Sequence, residues 1–336
     1  MGDLQIQTEI MAQVEIIHLF PPAEPVDLKG LPDHDPPINE AIEIHVLGKA
    51  RVNYYGYVFK NGRVYEHFVS PRHRGTITWK NCLSNYLKKK IVRINSPVIS
   101  IAHGWYDNYY HFTLEVLVKV FLLKDFLNSA TVIFPAKTSE FHRKWFEIIG
   151  LKNIRYIQEN EVVVSPKVIS CNFPNRDLNH HHLITPLFRE WILKHAKEKG
   201  FLNNPDFPSD LFIDRAKAAY RKILNHAEVK QILTEAEIPM LNLEELTLEE
   251  QINAFYFSKH LAFVHGAGLT NMLFCNPETT IIDFCHKDFY QNCFYKLSVP
   301  LKLEYHLTPC EGNNVHELPG YCDLFLPLDS VREIIK

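Results

Sequence analysis

Residues 261–271 read Leu261-Ala262-Phe263-Val264-His265-Gly266-Ala267-Gly268-Leu269-Thr270-Asn271. The apolar run predicts a buried strand, the glycines a tight turn, and Leu269 onward a helix. Small residues let a ligand come close to the backbone. The first amides of a helix lack intrahelical acceptors and carry partial positive charge. Together these features suit a phosphate, and a plain strand-to-helix turn is the competing reading. The stretch is neither a G-x-G-x-x-G nor a G-x-x-x-x-G-K-[ST] motif.

Working outward, the same alternation recurs. Downstream of a linker at 201–209, which holds Pro205 and Pro208, strands are expected at 211–213, 239–241, 261–264 and 281–284. Helices are expected between them at 227–236, 248–258 and 269–274. Thr247 and Glu250 spell a capping box for the second of these. This is a doubly wound parallel α/β pattern. Upstream, strands at 97–102, 131–134, 154–157 and 162–169 alternate with helices at 109–126 and 140–149. Thr185-Pro186 reads as an N-cap with proline at the first helical position, and Gly200 as the end of that helix. A further helix is expected at 79–90.

The start of the chain differs. Ile42, Ile44 and Val46 alternate with polar residues, and Asn61-Gly62 between strand-like runs is a hairpin signal, so this region reads as antiparallel. Prolines punctuate the first forty residues. The expected division is an N-terminal lead-in at 1–40, an N-terminal α/β domain at 41–185, a C-terminal Rossmann-like domain at 186–310, and a C-terminal tail at 311–336.

The 336 residues are enough for two domains at roughly 100–200 residues each. A net charge of −3 excludes a protein that relies on large global positive charge, so no nucleic-acid partner is expected. Seven cysteines without a Cys-x-x-Cys favour reduced thiols over a disulfide scaffold. The first fourteen residues lack the basic start and apolar run of a signal peptide, and no stretch approaches the roughly 18 apolar residues of a span. The expectation is a cytoplasmic protein, with peripheral contact at the inner face of the membrane through Lys88-Lys89-Lys90 as a candidate and a solvated helix end as the more ordinary reading.

Two more segments carry chemistry. Arg215, Lys217, Arg221 and Lys222 lie just past the end of the 211–213 strand, where open α/β sheets bind ligands. Arginines there can grip phosphate oxygens, although charge alone equally describes a solvated loop. Residues 103–115 leave a strand and open a helix. His111 and Glu115, four apart, share a helix face, and Asp107 or Asn108 can cap it. A histidine there can take a proton from a hydroxyl. Asp33-His34-Asp35 spells an Asp-x-Asp metal motif but sits in a proline loop. The neighbouring His180-His181-His182 point different ways and do not converge on one ion. A His-Gly-Gly-Gly esterase loop is disfavoured because no G-x-S-x-G elbow is present.

Taken together, Asn108-Tyr109-Tyr110-His111, the arginines Arg215 and Arg221 before Ile223-Leu224-Asn225, the run His265 to Asn271, and the acid Asp283 after the next strand resemble glycosyltransferase family 61. Phe112 stands where that family usually has tryptophan, and Asp283 where it usually has glutamate. The resemblance implies a GT-B-like α/β fold, with two Rossmann-like doubly wound domains facing a cleft and an antiparallel β-hairpin region before them. It implies inverting transfer of a sugar from a nucleotide-diphosphate donor to a hydroxyl of an oligosaccharide or polysaccharide acceptor, as in capsular or other surface polysaccharide synthesis. No metal or other cofactor is expected. The donor would meet Arg215, Arg221, His265, Gly266, Ala267, Gly268, Leu269, Thr270 and Asn271, with Asp283 on ribose hydroxyls. His111, or else Asp107 or Glu115, would be the base, with Asn108, Tyr109 and Tyr110 on the acceptor side. A degenerate transferase serving as a glycan- or nucleotide-binding scaffold is the alternative.

Overall fold

A computed structural model describes residues 8–11, 14–29, 40–69, 89–172, 180–289, 291–313 and 315–334. It divides into two compact units, Met1–Pro25 with Asp35–Phe188, and Val26–His34 with Arg189–Lys336.

The first unit is built on a mixed sheet. Its strands are β1 (Thr8–Met11), β2 (Val14–Phe20), β3 (Ile42–Asn53), β4 (Val58–Lys60), β5 (Arg63–Val64), β6 (Lys90–Arg93), β7 (Val98–Ser100), β8 (Thr131–Pro135), β9 (Ile154–Ile157) and β10 (Glu161–Cys171). The main order is β1-β2-β3-β10-β7-β8-β9. Strands β1, β2, β3 and β10 pair antiparallel, whereas β10, β7, β8 and β9 pair parallel. The antiparallel and parallel halves read from the sequence therefore belong to one sheet, joined along β10. The hairpin β4–β5 turns at Asn61 and Gly62, both at positive φ (51° and 79°), as an Asn-Gly turn requires. Regular structure starts before residue 41: β1 and β2 lie inside the supposed lead-in and pair onto β3, ahead of the prolines that begin at Pro21. The expected 79–90 helix falls on residues outside the described set up to 88, and Lys90 opens β6 instead.

Helical structure runs through Tyr109–His111, Phe112–Val116 and Leu117–Leu122, the middle part being a wide π turn. Helix Glu140–Ile148 follows, placing Trp145 and Phe146 in the core against Phe112 and Phe134. Helix Ile184–Glu198 begins two residues earlier than Thr185-Pro186 suggests. The His181 carbonyl accepts the Thr185 N–H, and the His181 ring accepts the Leu183 N–H, so the histidine takes the capping role. Gly200 (φ 79°) ends this helix with a Phe201 N–H to Ala196 carbonyl bond.

The second unit carries β11 (Asp210–Asp214), β12 (Met240–Asn242), β13 (His260–Val264), β14 (Thr280–His286), β15 (Glu304–Gly312) and β16 (Leu324–Phe325). Their order is β12-β11-β13-β14-β15-β16, parallel except for β16. In chain order this is 2-1-3-4-5, a doubly wound arrangement whose switch point lies between β11 and β13. One face packs Phe212, Ala262, Val264 and Phe284 against Val229 and Leu233 of helix His226–Glu235 and Val331 of helix Leu328–Arg332. Another set of helices, including Leu248–Phe257, brings Phe255 onto Phe263. The capping box at Thr247 and Glu250 is formed. The described residues of 311–334 do not hang off as a separate tail. Strand β16 joins the sheet, and Leu324, Leu326, Val331 and Ile334 are buried in the core of this unit.

Candidate functional site

Two clusters account for nearly all the residues singled out above, one in each unit.

In the second unit, β11 and β13 end side by side at the switch point, so Arg215 and His265 emerge together. Gly266 has an extended backbone (φ 171°), which any residue can adopt, so conformational freedom does not explain it. Space does: a Cβ there would lie 2.0 Å from Arg215 Nη1. The guanidinium thus rests directly on the backbone of the turn. A Cβ at Gly268 would lie 2.6 Å from Leu243 Cδ1. Residues Ala267–Phe274 form a 3-10 helix rather than an α-helix, opened by a Leu269 N–H to Gly266 carbonyl bond. Ala267 and Gly268 are partly exposed at its start, whereas Leu269, Thr270 and Asn271 are buried. Asn271 donates to Gln251 Oε1 at 2.9 Å. Those three side chains hold the turn in place and do not face solvent.

Arg221 reaches the same turn from the far end of its loop. Its Nη1 donates to the His265 carbonyl (2.9 Å) and its Nε to the Gly320 carbonyl (2.5 Å), and its guanidinium lies over the Phe289 ring. Arg221 holds a left-handed backbone (φ 61°), a costly state for a residue other than glycine. Burial pushes the Arg215 guanidinium pKa down, and the nearby Arg221 charge adds to that; burial does the same to Arg221. Among the described residues neither guanidinium has a carboxylate ion-pair partner, while Lys217 in the same loop is paired with Glu245. Tyr220 and Tyr321, both exposed, meet edge to face with centroids 4.9 Å apart beside this arginine pair.

Asp283 lies beneath the turn and is fully buried. Its Oδ2 accepts from His265 Nδ1 (2.7 Å) and from the Tyr305 hydroxyl. Burial, reinforced by the Asp283 charge, raises the Tyr305 phenol well above its ordinary range, so Tyr305 stays a donor. Asp283 thus presents no exposed oxygen. It orients His265, whose carbonyl in turn holds Arg221. Its position at the register partner of Phe263 inside the sheet, rather than past the strand's end, explains this.

In the first unit, the turn after β7 and the start of the long helix bring His103, His111 and Glu115 together. Asn108 caps the helix, its Oδ1 accepting the N–H of Tyr110 (3.0 Å) and His111 (3.5 Å). Glu115 Oε2 lies 2.9 Å from His111 Nδ1 and 3.0 Å from His103 Nε2. His103 and Glu115 are buried, whereas the His111 side chain keeps 19% of its surface exposed. The Trp105 N–H approaches His103 Nδ1 at 3.4 Å, which leaves the proton on Nε2, facing Glu115. Burial by itself pushes the Glu115 carboxyl up, but His103 and His111 outweigh it and bring it down to about 2. Burial pushes the His103 pKa down, against the pull of Glu115. The arrangement is an ionised carboxylate that receives the His111 Nδ1–H bond and has the His103 ring nitrogen 3.0 Å from the same oxygen. Glu115 is therefore shut off from a substrate, Asp107 is exposed on the turn, and His111 alone of these three couples an accessible ring to a buried carboxylate.

Of the acceptor-side residues, Tyr110 is buried, its hydroxyl bonded to His180 Nε2 (2.9 Å), and Tyr109 packs on Phe141. Asn108 is occupied by capping. His181 bonds the Pro21 carbonyl and His182 accepts the Glu24 N–H, so the three adjacent histidines serve separate partners. Asp33, His34, Asp35 and Lys88 lie outside the described residues. The sequence reading missed the roles of His103, Tyr305 and Gly320, whose contacts span 12, 22 and 99 positions of the chain.

The family model for Glycosyltransferase 61 matches residues 109–282, half of the chain, and the protein belongs to that family. The match spans His111, both arginines and the 265–271 turn. No curated protein matches the chain. Among solved structures, a flavo di-iron protein mutant from Thermotoga maritima aligns over 98% of this chain and 97% of its own at 13% identity. Its TM-score of 0.25 carries no argument. No helix among the described residues is long and apolar enough to cross a membrane.

Proposed function

We propose that this glycosyltransferase is an inverting enzyme of GT-B organisation, which moves a sugar from a nucleotide-diphosphate donor to a hydroxyl of a glycan acceptor in surface polysaccharide synthesis on the cytoplasmic side. The observation that carries the reading is the pair of half-buried guanidiniums, without carboxylate partners among the described residues, at the switch point of a parallel sheet. Two desolvated like charges repel, and an anion placed against them removes that cost. A diphosphate fits the charge, and the amides opening the 3-10 turn add donors. As the anomeric bond breaks, negative charge grows on the diphosphate, where these groups stabilise it. Exposed Tyr220 and Tyr321 offer ring faces for the nucleoside base.

In the first unit, His111 Nδ1–H is held by Glu115, which leaves Nε2 as the acceptor for the hydroxyl proton. The Glu115 carboxylate stabilises the imidazolium that forms. Glu115 and His103 act here as positioning residues.

The test is a thermal-shift titration of the full chain with a panel of nucleoside diphosphates in EDTA, followed by transfer assays with the matching sugars. A melting temperature that rises with one nucleotide supports the reading. No shift with any nucleoside diphosphate, and no transfer with or without added divalent metal, refutes it and favours the scaffold alternative.

A further inference from the structure

The cluster around Glu115 holds a second chemistry. Two imidazole nitrogens and a carboxylate oxygen, from His103, His111 and Glu115, all lie within 4.8 Å of one another, and this is the one such three-ligand group among the described residues. We propose that these three side chains form a zinc-type site, and that a divalent ion of that class bound there switches the transferase off. The inference rests on His111 being the base.

The donor set is the first argument. Two imidazoles and a carboxylate suit zinc and its neighbours in the first transition row, whereas magnesium and calcium prefer oxygen cages. Accessibility is the second. His103 and Glu115 are buried and fixed, while the partly exposed His111, beside the exposed Gly104 and Trp105, leaves a side for an ion to enter and for water to complete its shell. The third is the hydrogen-bond pattern. Both ring nitrogens face one Glu115 oxygen, at 3.0 and 2.9 Å, so an ion between the rings and Glu115 takes the place of the protons there. On the His103 side its proton moves to Nδ1 and the long 3.4 Å contact from the Trp105 N–H is given up; Trp105 is exposed, so water can replace it.

The consequence for catalysis follows from the tautomer. In the free protein His111 keeps its proton on Nδ1 and offers Nε2 as a base. An ion on Nδ1 needs that lone pair, so the proton relocates to Nε2 through solvent. Nε2 then donates instead of accepting, and the hydroxyl proton has no acceptor. None of the donor residues is among the zinc ligands, so nucleotide affinity should stay as it was.

The experiment is a zinc titration of the full chain against a chromophoric chelator, run alongside transfer assays. The expected result is one zinc whose affinity falls at least about tenfold in His103→Ala, Glu115→Gln and His111→Ala. Turnover of the wild type should fall in step with zinc occupancy, recover in EDTA, and ignore magnesium. His111 is the least buried ligand, so His111→Ala keeps the test open if the other two variants melt early. Absence of zinc binding, zinc binding untouched by the variants, or bound zinc with turnover unchanged or raised overturns the proposal. If no sugar transfer is found under any condition, the base reading fails, and the binding titration still decides the metal site.

Discussion

The turn that follows β7 and the turns that follow β11 and β13 are built from similar parts: a strand end, a small-residue turn, a helix start and a buried carboxylate bonded to histidine. Their charges are handled in opposite ways. Around Glu115 the cluster is complete, since one carboxylate answers two imidazoles. Around Gly266 it is unfinished. Asp283 Oδ2 bonds His265 and Tyr305, while the half-buried Arg215 and Arg221 have no carboxylate ion-pair partner among the described residues and feel Asp283 only at longer range. A complete cluster suits the movement of a proton between neutral groups. An unfinished one suits an anion brought from outside.

The comparison can be broken by removing its members. His111→Ala should lower turnover by about 10²–10⁴-fold, the range of a general base, and leave nucleotide affinity unchanged in a calorimetric titration. Arg221→Ala should act the other way, weakening nucleotide binding and lowering kcat/KM by about 10²-fold or more. Gly266→Ala should weaken the nucleotide by about tenfold, because its Cβ must push the Arg215 guanidinium off the turn; unchanged affinity would separate Arg215 from the donor.

Acid should sharpen the difference. Glu115 ionises far more readily in the folded protein than its ordinary value of 4.5, so the stability it contributes is full above that pH and drains away as pH falls toward about 2. His103, held neutral by burial, adds a loss in the same direction from below about 6.5. Urea midpoints measured from pH 7 to pH 3 should fall, and Glu115→Gln should flatten the acid limb of that curve.

How much of this was legible in the sequence follows the range of the contacts. The Asn61-Gly62 hairpin, the Thr247–Glu250 capping box and the strand–turn–helix at 261–271 are local signals, and each forms. The pairing of His111 with Glu115 needs only helix geometry and was readable too. Strand β2 was hidden by the prolines behind it, and the tail by the absence of a long apolar run. Its burial depends on β16 finding β15. The surroundings of Asp283 were the least legible. Its spacing matches the family, yet whether a side chain at that position faces solvent or the sheet interior is set by the register of β14 against β13 and β15, which no local pattern reveals. Tyr305, its other partner, comes from that neighbouring strand.

One crossed measurement separates the two clusters most directly: the dissociation constant of the preferred nucleoside diphosphate, by calorimetry in EDTA, for the wild type, Arg221→Ala and His111→Ala. A large loss of affinity is expected in Arg221→Ala alone, with His111→Ala binding like the wild type. Equal affinity in Arg221→Ala and the wild type would contradict that expectation.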